Sequence, residues 1–420
     1  MGTGAAFTDE DDFSPQYAEA AEVLAGMKVM QGYDDGSFLP QRNITRAQVA
    51  TMIYRAATGD VNDTKTDIYK DYDKFDDVQS DDWFAGYVNY CGNAEYIKGF
   101  TPDTFGPYKQ VTGYQVLAMI LRAVGYDEND EYTGDQWTLR VAATAREQGL
   151  LDNLNPDTNL AEPATRELVA QLIFEAIQID TVRYSPAAGA YRPSTTPASS
   201  LGEQVFDLAV VNDNDVWGRP ATIWYAESST YWNGAVKNDG YQSDKDDLYA
   251  TIEEEALATY TTAVKICDVA DDLGIAEETF TTYTNGEVND GTVKIDADAT
   301  TATIGAQGRL TEVYEDTIVY IDTFLARVDK VTEVKYDADG HVAKDASLTL
   351  GVYANNGTNH NDAQSVTLTD DTNYTYAEGD MLLVNAVTDG ADWHDAIATD
   401  GDKHVEFIGA AESFVGAQTY

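Results

Sequence analysis

Three segments of the chain carry the same helical pattern of apolar residues. Each begins at a threonine, Thr45, Thr112 or Thr165, and has apolar residues four, seven, eight and eleven positions further on. This spacing places the apolar side chains on one helix face, so each segment is predicted to be an amphipathic helix. The members of the three apolar stripes are Val49, Met52, Ile53 and Ala56; Val116, Met119, Ile120 and Ala123; and Val169, Leu172, Ile173 and Ala176.

The three threonines are predicted to be helix N-caps. A threonine hydroxyl at this position accepts a hydrogen bond from a backbone N–H of the first helical turn. Gln48 and Gln115 stand three residues after Thr45 and Thr112, which completes a capping box in the first two segments. The third segment lacks that partner, so it is predicted to have a simple cap.

A second amphipathic segment precedes each of these helices. It opens with an aromatic residue, Tyr17, Trp83 or Trp137, that lies 28 or 29 residues before the threonine. A loop rich in glycine, proline, asparagine and aspartate joins the two segments. Each unit is therefore predicted to be helix–loop–helix. Because one such unit cannot bury both of its apolar stripes, the three are expected to pack together.

This pattern in triplicate resembles the S-layer homology domain. The match is carried by the loop sequence GYDDGSF at 32–38 and the helix start ITRAQ at 44–48. The resemblance implies three amino-terminal repeats, at 13–59, 75–124 and 135–179. It further implies a pseudo-threefold all-α bundle that binds secondary cell-wall polysaccharide in the grooves between repeats.

The resemblance also implies that Arg46 and Arg166 contact the anionic wall polymer. Each follows its capping threonine, Thr45 or Thr165, at a helix start where backbone N–H groups favour an anion. A guanidinium can pair with a carboxylate through two hydrogen bonds. The alternative is a solvent-facing arginine that pairs with nearby acidic side chains. Gly113 occupies the arginine position in the middle repeat, so that groove is expected to bind poorly and Gly113→Ala to be tolerated.

The predicted polysaccharide-binding set is completed by Tyr17, Trp83 and Trp137, together with the capping residues Thr45 and Thr165. An aromatic ring offers a flat apolar face on which a sugar ring can pack. The same residues can equally be interior anchors of their helices, and the sequence leaves both interpretations open.

The composition changes after residue 179. Residues 180–200 hold three prolines and many small residues, so they are predicted to be a linker without a core. Residues 201–420 contain short β-branched and aromatic runs separated by Gly, Asn and Asp turns, with 203–211 expected to be the first strand. Such runs are typical of small β-barrels or sandwiches, in one or two domains. The predicted fold class is therefore multidomain, a helical bundle followed by a β-rich region.

The charge balance narrows the range of partners. Seventy-three acidic residues against 26 basic ones give a net charge of −47. Nucleic acid and anionic lipid surfaces are poor candidates for partners, because both need clustered basic residues. Calcium is a candidate cofactor because it bridges carboxylates; solubility alone is the alternative explanation. The oxygen-rich turns 213–215 and 337–340 do not complete a twelve-residue calcium loop.

The sequence carries no recognisable catalytic motif. Among the four histidines, His394 is the most site-like, but none has the spacing of a metal ligand set. No run of ~18 apolar residues is long enough to span a membrane. Met1 does not open a hydrophobic signal peptide, so a leader is expected to have been removed or omitted.

These observations predict a non-enzymatic, extracellular surface-layer protein. Residues 13–179 would anchor it to wall polysaccharide without a covalent bond, and the β region would make lattice contacts by self-association. Two alternatives stay open. One is a wall-anchored enzyme or carbohydrate-binding protein, and the other is an extracellular filament subunit.

Overall fold

The structure is a computed structural model. It describes residues 7–33, 35–227, 248–336, 342–353, 364–370, 373–387 and 405–410. The chain divides into two compact units. The first comprises Met1–Val211, Ile223–Tyr231 and Asp244–Ile252, and the second comprises Asn212–Thr222, Trp232–Ser243 and Glu253–Tyr420.

The first unit is helical, as the apolar pattern predicts. Its main helices come in three consecutive pairs, each joined by a loop. They are α1 (Pro15–Gly26), α2 (Arg46–Thr58), α3 (Ala85–Asn93), α4 (Gly113–Val124), α5 (Trp137–Glu147) and α6 (Arg166–Gln178), with 3-10 turns at Glu10–Asp12 and Thr66–Tyr69.

The predicted helix caps are confirmed. Thr45 and Thr112 accept hydrogen bonds from the backbone N–H groups of Gln48 and Gln115, and both glutamines return a side-chain bond to the cap backbone. Thr165 accepts from the third helical residue without the reciprocal bond, as its sequence indicates. The hydroxyls of Thr45 and Thr165 are therefore engaged in capping.

A closed ring of backbone hydrogen bonds joins the three capped helix starts. The residues that directly precede the capping threonines are Ile44, Val111 and Ala164, and all three are fully buried. Ile44 N–H donates to Ala164 O at 3.2 Å, Ala164 N–H to Val111 O at 2.8 Å, and Val111 N–H to Ile44 O at 3.1 Å. Each buried donor and acceptor in the ring is thus satisfied by a different repeat.

The helices pack in the same cyclic order. The first helix of one pair contacts the second helix of the preceding pair, so α3 packs on α2 and α5 on α4, while α1 packs on α6. Ser14 at the start of α1 donates to the Glu167 carboxylate of α6 through its backbone N–H (2.9 Å) and its hydroxyl (2.8 Å). The beginning of the bundle is therefore held by its last helix.

Residues 180–206 are folded, in contrast to the predicted linker. They form a hairpin of β1 (Val182–Ser185) and β2 (Ala190–Pro193), followed by a short helix, α7 (Leu201–Phe206), where a strand was predicted. Tyr191 explains the docking of the hairpin, because its hydroxyl donates to Glu131 Oε2 at 2.7 Å and its ring packs on Tyr126.

Gly125 is the point of closest approach between this hairpin and the bundle. It ends α4 with a φ of 113°, and an added Cβ would lie 1.8 Å from Val182 O. Gly125→Ala is expected to lower the free energy of unfolding by about 1–3 kcal/mol more than Gly189→Ala, because only the former overpacks. Gly189 is the matched control, since its φ is also positive and its added Cβ meets nothing within 4 Å. Equal denaturant midpoints for the two variants would contradict this account.

Strands dominate the rest of the chain. A three-stranded sheet has the order β3 (Leu208–Asn214), β4 (Pro220–Ala226) and β5 (Leu248–Glu253). The second unit continues with β6 (Ala258–Tyr260), β7 (Val264–Lys265), α8 (Ile266–Leu273), β8 (Glu277–Thr284), β9 (Glu287–Asp296), β10 (Thr303–Ile304), β11 (Arg309–Val313), β12 (Thr317–Thr332), β13 (Lys335–Tyr336), β14 (Val342–Lys344), β15 (Ala346–Tyr353), β16 (Gln364–Asp370), β17 (Met381–Ala386) and β18 (Val405–Ala410).

The 16-residue strand β12 organises a nine-stranded sheet. Its first half pairs with β11 and, in parallel, with β8, while its second half pairs with β15 and β17. Each half buries a separate core, one around Phe280 and Ile318 and the other around Val328 and Leu350. A closed barrel, one of the predicted forms, is not found among the described strands.

Candidate functional site

Arg46 is buried inside the loop of the second repeat, although it belongs to the first. It is only 3% exposed. Its Nε donates to Phe105 O at 3.0 Å and its Nη2 to Lys98 O at 2.8 Å. The guanidinium carbon lies 4.6 Å from the ring centroids of both Phe100 and Phe105, which places the cation between two aromatic faces.

Arg166 repeats this arrangement in the loop of the first repeat. Its Nε donates to Phe38 O at 2.7 Å and its Nη2 to Gln31 O at 3.1 Å. The Tyr33 and Phe38 rings lie 5.0 and 4.6 Å from the guanidinium carbon. Two arginines at equivalent helix starts therefore hold two equivalent loops, each across a boundary between repeats.

Burial disfavours the charged form of both arginines, but a guanidinium stays protonated at neutral pH. Burial, with a smaller contribution from the positive charge of Arg122, lowers the pKa of Arg46 to about 10, so the side chain is a cation at neutral pH. Burial also lowers the pKa of Arg166. Among the described residues, neither forms an ion pair with a carboxylate. The alternative of a solvent-facing arginine paired with acids is therefore excluded, and contact with an anionic polymer stays a prediction.

Gly113 faces the third loop, and the structure shows why no arginine stands there. A Cβ at this position would lie 2.6 Å from Leu160 Cδ2 and 3.0 Å from Leu160 Cα. Leu160 occupies the place of Pro40 and Pro107 in the other loops. A methyl group at position 113 would require Leu160 to shift, and tolerance of Gly113→Ala stays a prediction.

The predicted aromatic residues do not form one equivalent set. Tyr17 is buried, its hydroxyl accepting a hydrogen bond from Asn155 N–H at 2.8 Å, so it is an interior anchor. Trp83 is 56% exposed, while Trp137 is partly buried against the core. When the repeats are aligned on the ends of their first helices, Gln16, rather than Tyr17, matches Trp83 and Trp137. This alignment explains the difference.

Those helix ends are marked by residues with the same backbone conformation. Lys28, Glu95 and Gly149 have φ values of 58°, 62° and 80°. Each N–H donates to the carbonyl three residues earlier, at Ala25, Gly92 and Arg146. This common turn fixes the register of the first helices, which the aromatic spacing had displaced by one residue in the first repeat.

No sequence motif singles out the cations around the second loop. A groove of about 430 Å³ is lined by residues that include Lys74, Lys98 and Phe100. Lys98 Nζ pairs with Asp127 at 3.1 Å, and Lys109 Nζ lies 4.4 Å from the exposed Phe100 ring. Lys98 also pairs with Asp130 at 2.8 Å, so Lys109 and the buried Arg46 are cations near this loop that pair with no carboxylate among the described residues. These lysines lie close to the loop in the sequence, but only the folded structure shows that they surround it.

The other candidate chemistry receives less support. Within the described ranges, no three or more His, Cys, Asp or Glu side chains converge into a metal site. Asp215 lies beside Arg219 instead, at 3.6 Å. His394 and the turn 337–340 fall outside the described residues. The described helices are all too short or too polar to cross a membrane.

Parts of this chain match a known domain family and are similar to known proteins. The sequence model of the S-layer homology domain matches residues 6–50 and 74–116. The Middle cell wall protein of Brevibacillus brevis is 28% identical over 176 residues, which is 42% of this chain and 16% of that protein. The Surface layer protein of Brevibacillus choshinensis is 36% identical over 127 residues, 29% of this chain and 11% of that protein.

A relative that is named as an enzyme is also similar to part of this chain. Exoglucanase XynX of Acetivibrio thermocellus is 25% identical over 175 residues, covering 38% of this chain and 15% of that protein. The chain thus spans less than a fifth of the length of each of these three relatives. Two segments of its helical unit match the S-layer homology domain, and the chain is similar to cell-surface proteins.

Proposed function

We propose that this protein is held at the cell surface by non-covalent binding of its helical unit to secondary cell-wall polysaccharide. In this proposal 135–179 is a third repeat that completes a pseudo-threefold bundle with the two matched repeats. The closed hydrogen-bond ring and the cyclic packing of α1 on α6 support that reading. The β-rich unit would make the lattice contacts of a surface layer.

The observation that carries the proposal is the pair of arginine-centred loops. Arg46 and Arg166 bring buried positive charge to two junctions between repeats, in a chain whose net charge is −47. An anionic polymer would be repelled elsewhere on such a surface. Lys109 and the exposed Phe100 ring add charge and a packing face beside the Arg46 junction.

The arginines act in this proposal by shaping the loops. Each guanidinium bonds two loop carbonyls and packs between two rings, so the loop conformation depends on it. Trp83, just before α3, and Trp137, the first residue of α5, are proposed to contribute sugar-packing faces. Tyr17 contributes indirectly, since its hydroxyl holds the backbone of Asn155.

Sedimentation of the full chain with purified cell walls tests the anchoring. We expect the protein to pellet with walls that retain their polysaccharide and to stay in the supernatant when the polysaccharide has been extracted. Equal pelleting with both wall preparations would contradict the assignment.

A wall-anchored enzyme is the second candidate function. Exoglucanase XynX and an Amylopullulanase of Thermoanaerobacterium thermosulfurigenes each align with 38% of this chain. Electron microscopy of the purified chain separates the two functions. Ordered sheets support the structural role, while dispersed particles that cleave a wall glycan support the enzyme.

A further inference from the structure

Tyrosine residues are concentrated around the junction of α2 with α3. Six of the 27 tyrosines of the chain lie between positions 54 and 96. Three of them, Tyr54, Tyr87 and Tyr90, belong to the two helices themselves, while Tyr69 and Tyr72 belong to the segment that follows α2. This junction therefore brings together several side chains that can be oxidised by one electron.

Packing alone does not require tyrosine at the helix positions. The repeats can be aligned on their capping threonines and on the ends of their first helices. The counterparts of Tyr54, Tyr87 and Tyr90 are Leu121, Val141 and Thr144 at the α4–α5 junction, and Phe174, Ala20 and Val23 at the α6–α1 junction. None of these six is a tyrosine or a tryptophan. The property that distinguishes the α2–α3 junction is thus the ease with which a phenol loses an electron.

Five of these rings form a continuous row, here called the tyrosine row. The ring centroids of Tyr72 and Tyr69 lie 5.6 Å apart, and those of Tyr69 and Tyr90 lie 4.9 Å apart. Tyr54 follows at 5.0 Å from Tyr90, and Tyr87 at 5.3 Å from Tyr54. All four distances lie in the range of direct aromatic contact, about 4.5–7 Å. Because electronic coupling falls exponentially with the gap between rings, each of these steps is short enough for rapid electron transfer.

The row reaches solvent at both ends. Trp83 lies 6.5 Å from Tyr87 and extends the row to the surface of the bundle. Trp83 is 56% exposed and Tyr72 at the other end is 51% exposed, whereas Tyr54 in the middle is only 1% exposed. An oxidant in solution can therefore reach the two ends but not the centre.

The buried centre of the row has its own proton acceptor. The Tyr54 hydroxyl donates to Asp60 Oδ2 at 2.6 Å. A phenol that has lost an electron is a strong acid, so its proton moves at the same time. Asp60 can take this proton across the existing hydrogen bond and return it when the electron is replaced. Tyr54 can thus pass an electron on without exchanging a proton with water.

We propose that the tyrosine row carries oxidising equivalents from Trp83 to Tyr72. A strong one-electron oxidant, such as a radical formed from hydrogen peroxide, takes one electron from the Trp83 indole. Electrons then move ring by ring in the opposite direction, from Tyr72 towards Trp83, and restore the indole. Tyr72 releases its phenolic proton to water and becomes a neutral tyrosyl radical, while the oxidant has gained the one electron.

The direction of transfer follows from the surroundings of the two ends. An exposed phenol that releases its proton to water is easier to oxidise than an indole, so the transfer from Trp83 to Tyr72 is downhill. The inference goes beyond wall anchoring and does not depend on it.

The test starts the reaction at the Trp83 end of the full chain. A ruthenium photo-oxidant is attached at Asp81→Cys, an exposed position, in a Cys267→Ser background; Cys91 is fully buried and stays unlabelled. Light and a soluble electron acceptor oxidise the label, and a nitroso spin trap with peptide mass spectrometry locates the protein radical. The trap is expected on Tyr72, on the far side of the row.

A break in the middle of the row should stop the transfer. Tyr90→Phe keeps the ring but removes the hydroxyl, and a phenylalanine ring is too hard to oxidise to pass the electron on. The Tyr72 adduct is expected to disappear, with the trap found on Trp83 instead. Tyr96→Phe is the matched control, because this ring lies beside the row, 6.3 Å from Tyr90, and its loss should leave the Tyr72 adduct unchanged.

A second break covers the case in which Tyr90→Phe fails to fold. Tyr69→Phe interrupts the row next to Tyr72 and should cause the same loss of the adduct. A Tyr72 adduct that persists in the folded phenylalanine variants, or a wild-type adduct confined to the residues beside the label, would overturn the proposal. Failure of wall sedimentation alone would leave these measurements unaffected.

Discussion

Replacement of Arg46 by alanine is expected to abolish pelleting with polysaccharide-bearing walls and to destabilise the helical unit. The substitution leaves the buried carbonyls of Phe105 and Lys98 without their donor. A hydrogen bond to a charged group contributes about 1.5–3 kcal/mol, so the loss should reach at least about 3 kcal/mol. The loop that carries Phe100 would then lose its conformation, and the binding surface with it.

Three further variants separate loop shape from polymer contact. Arg46→Lys keeps the charge but loses the planar fork that reaches two carbonyls, so it should be nearly as damaging. Lys109→Gln removes an exposed cation beside Phe100, and it should weaken wall binding while leaving the melting temperature unchanged. Arg192→Ala is the control, since this arginine is exposed in the hairpin. Wild-type pelleting by folded Arg46→Ala protein would refute the proposed role.

The second large effect is expected in the β-rich unit on replacing Arg219 with methionine. Arg219 is buried among three carboxylates, with Nε 2.7 Å from Glu312 Oε2 and Nη1 3.4 Å from Glu253 Oε2. Asp215 Oδ2 lies 3.6 Å from the same guanidinium. Removing one partner of a buried ion pair costs about 3–5 kcal/mol, because the remaining charges stay uncompensated. Denaturant unfolding at pH 7 measures the loss.

The pH dependence of this cluster supplies an independent check. Burial raises the pKa of Asp215 to about 6. The negative charge of Glu253 acts in the same direction, while backbone hydrogen bonds to the carboxylate oppose the shift. In the unfolded chain the pKa is about 3.9, so the folded state binds the extra proton between these values. Its contribution to stability therefore grows as pH falls from about 6 towards 4.

Asp215→Asn should remove this pH-dependent gain, while the exposed Glu315→Gln should retain it. Melting curves of the β-rich unit in the full chain, recorded at pH 7 and pH 5, compare the variants. Identical pH profiles for wild type and Asp215→Asn would show that Asp215 is not the titrating group.

The helices and caps of the first unit were predictable because their determinants are local. Thr45 and Gln48 are three residues apart, and their reciprocal bonds need no other part of the chain. The same local logic identifies Ser200 and Glu203 as a capping box before α7, a signal that the β-branched run beyond it obscured. A helix of six residues was thus mistaken for the start of a strand.

The arginine sites were predictable in residue type but not in environment. Arg46 bonds the carbonyls of Lys98 and Phe105, which are more than 50 residues away. No spacing rule within one repeat identifies such partners, because the arginine and its loop belong to different repeats. For the same reason the contact of Gly113 with Leu160 could not be anticipated, and glycine there looked like a simple loss of charge.

The hydrogen-bond ring also determines when the helical unit can close during synthesis of the chain. Ile44 cannot complete its bonds until Ala164 has been made, 120 residues later. At about 5–20 residues per second this interval lasts about 6–24 s. Throughout it, the face of α1 that α6 covers has no partner. The helical unit therefore closes only after its last helix is complete.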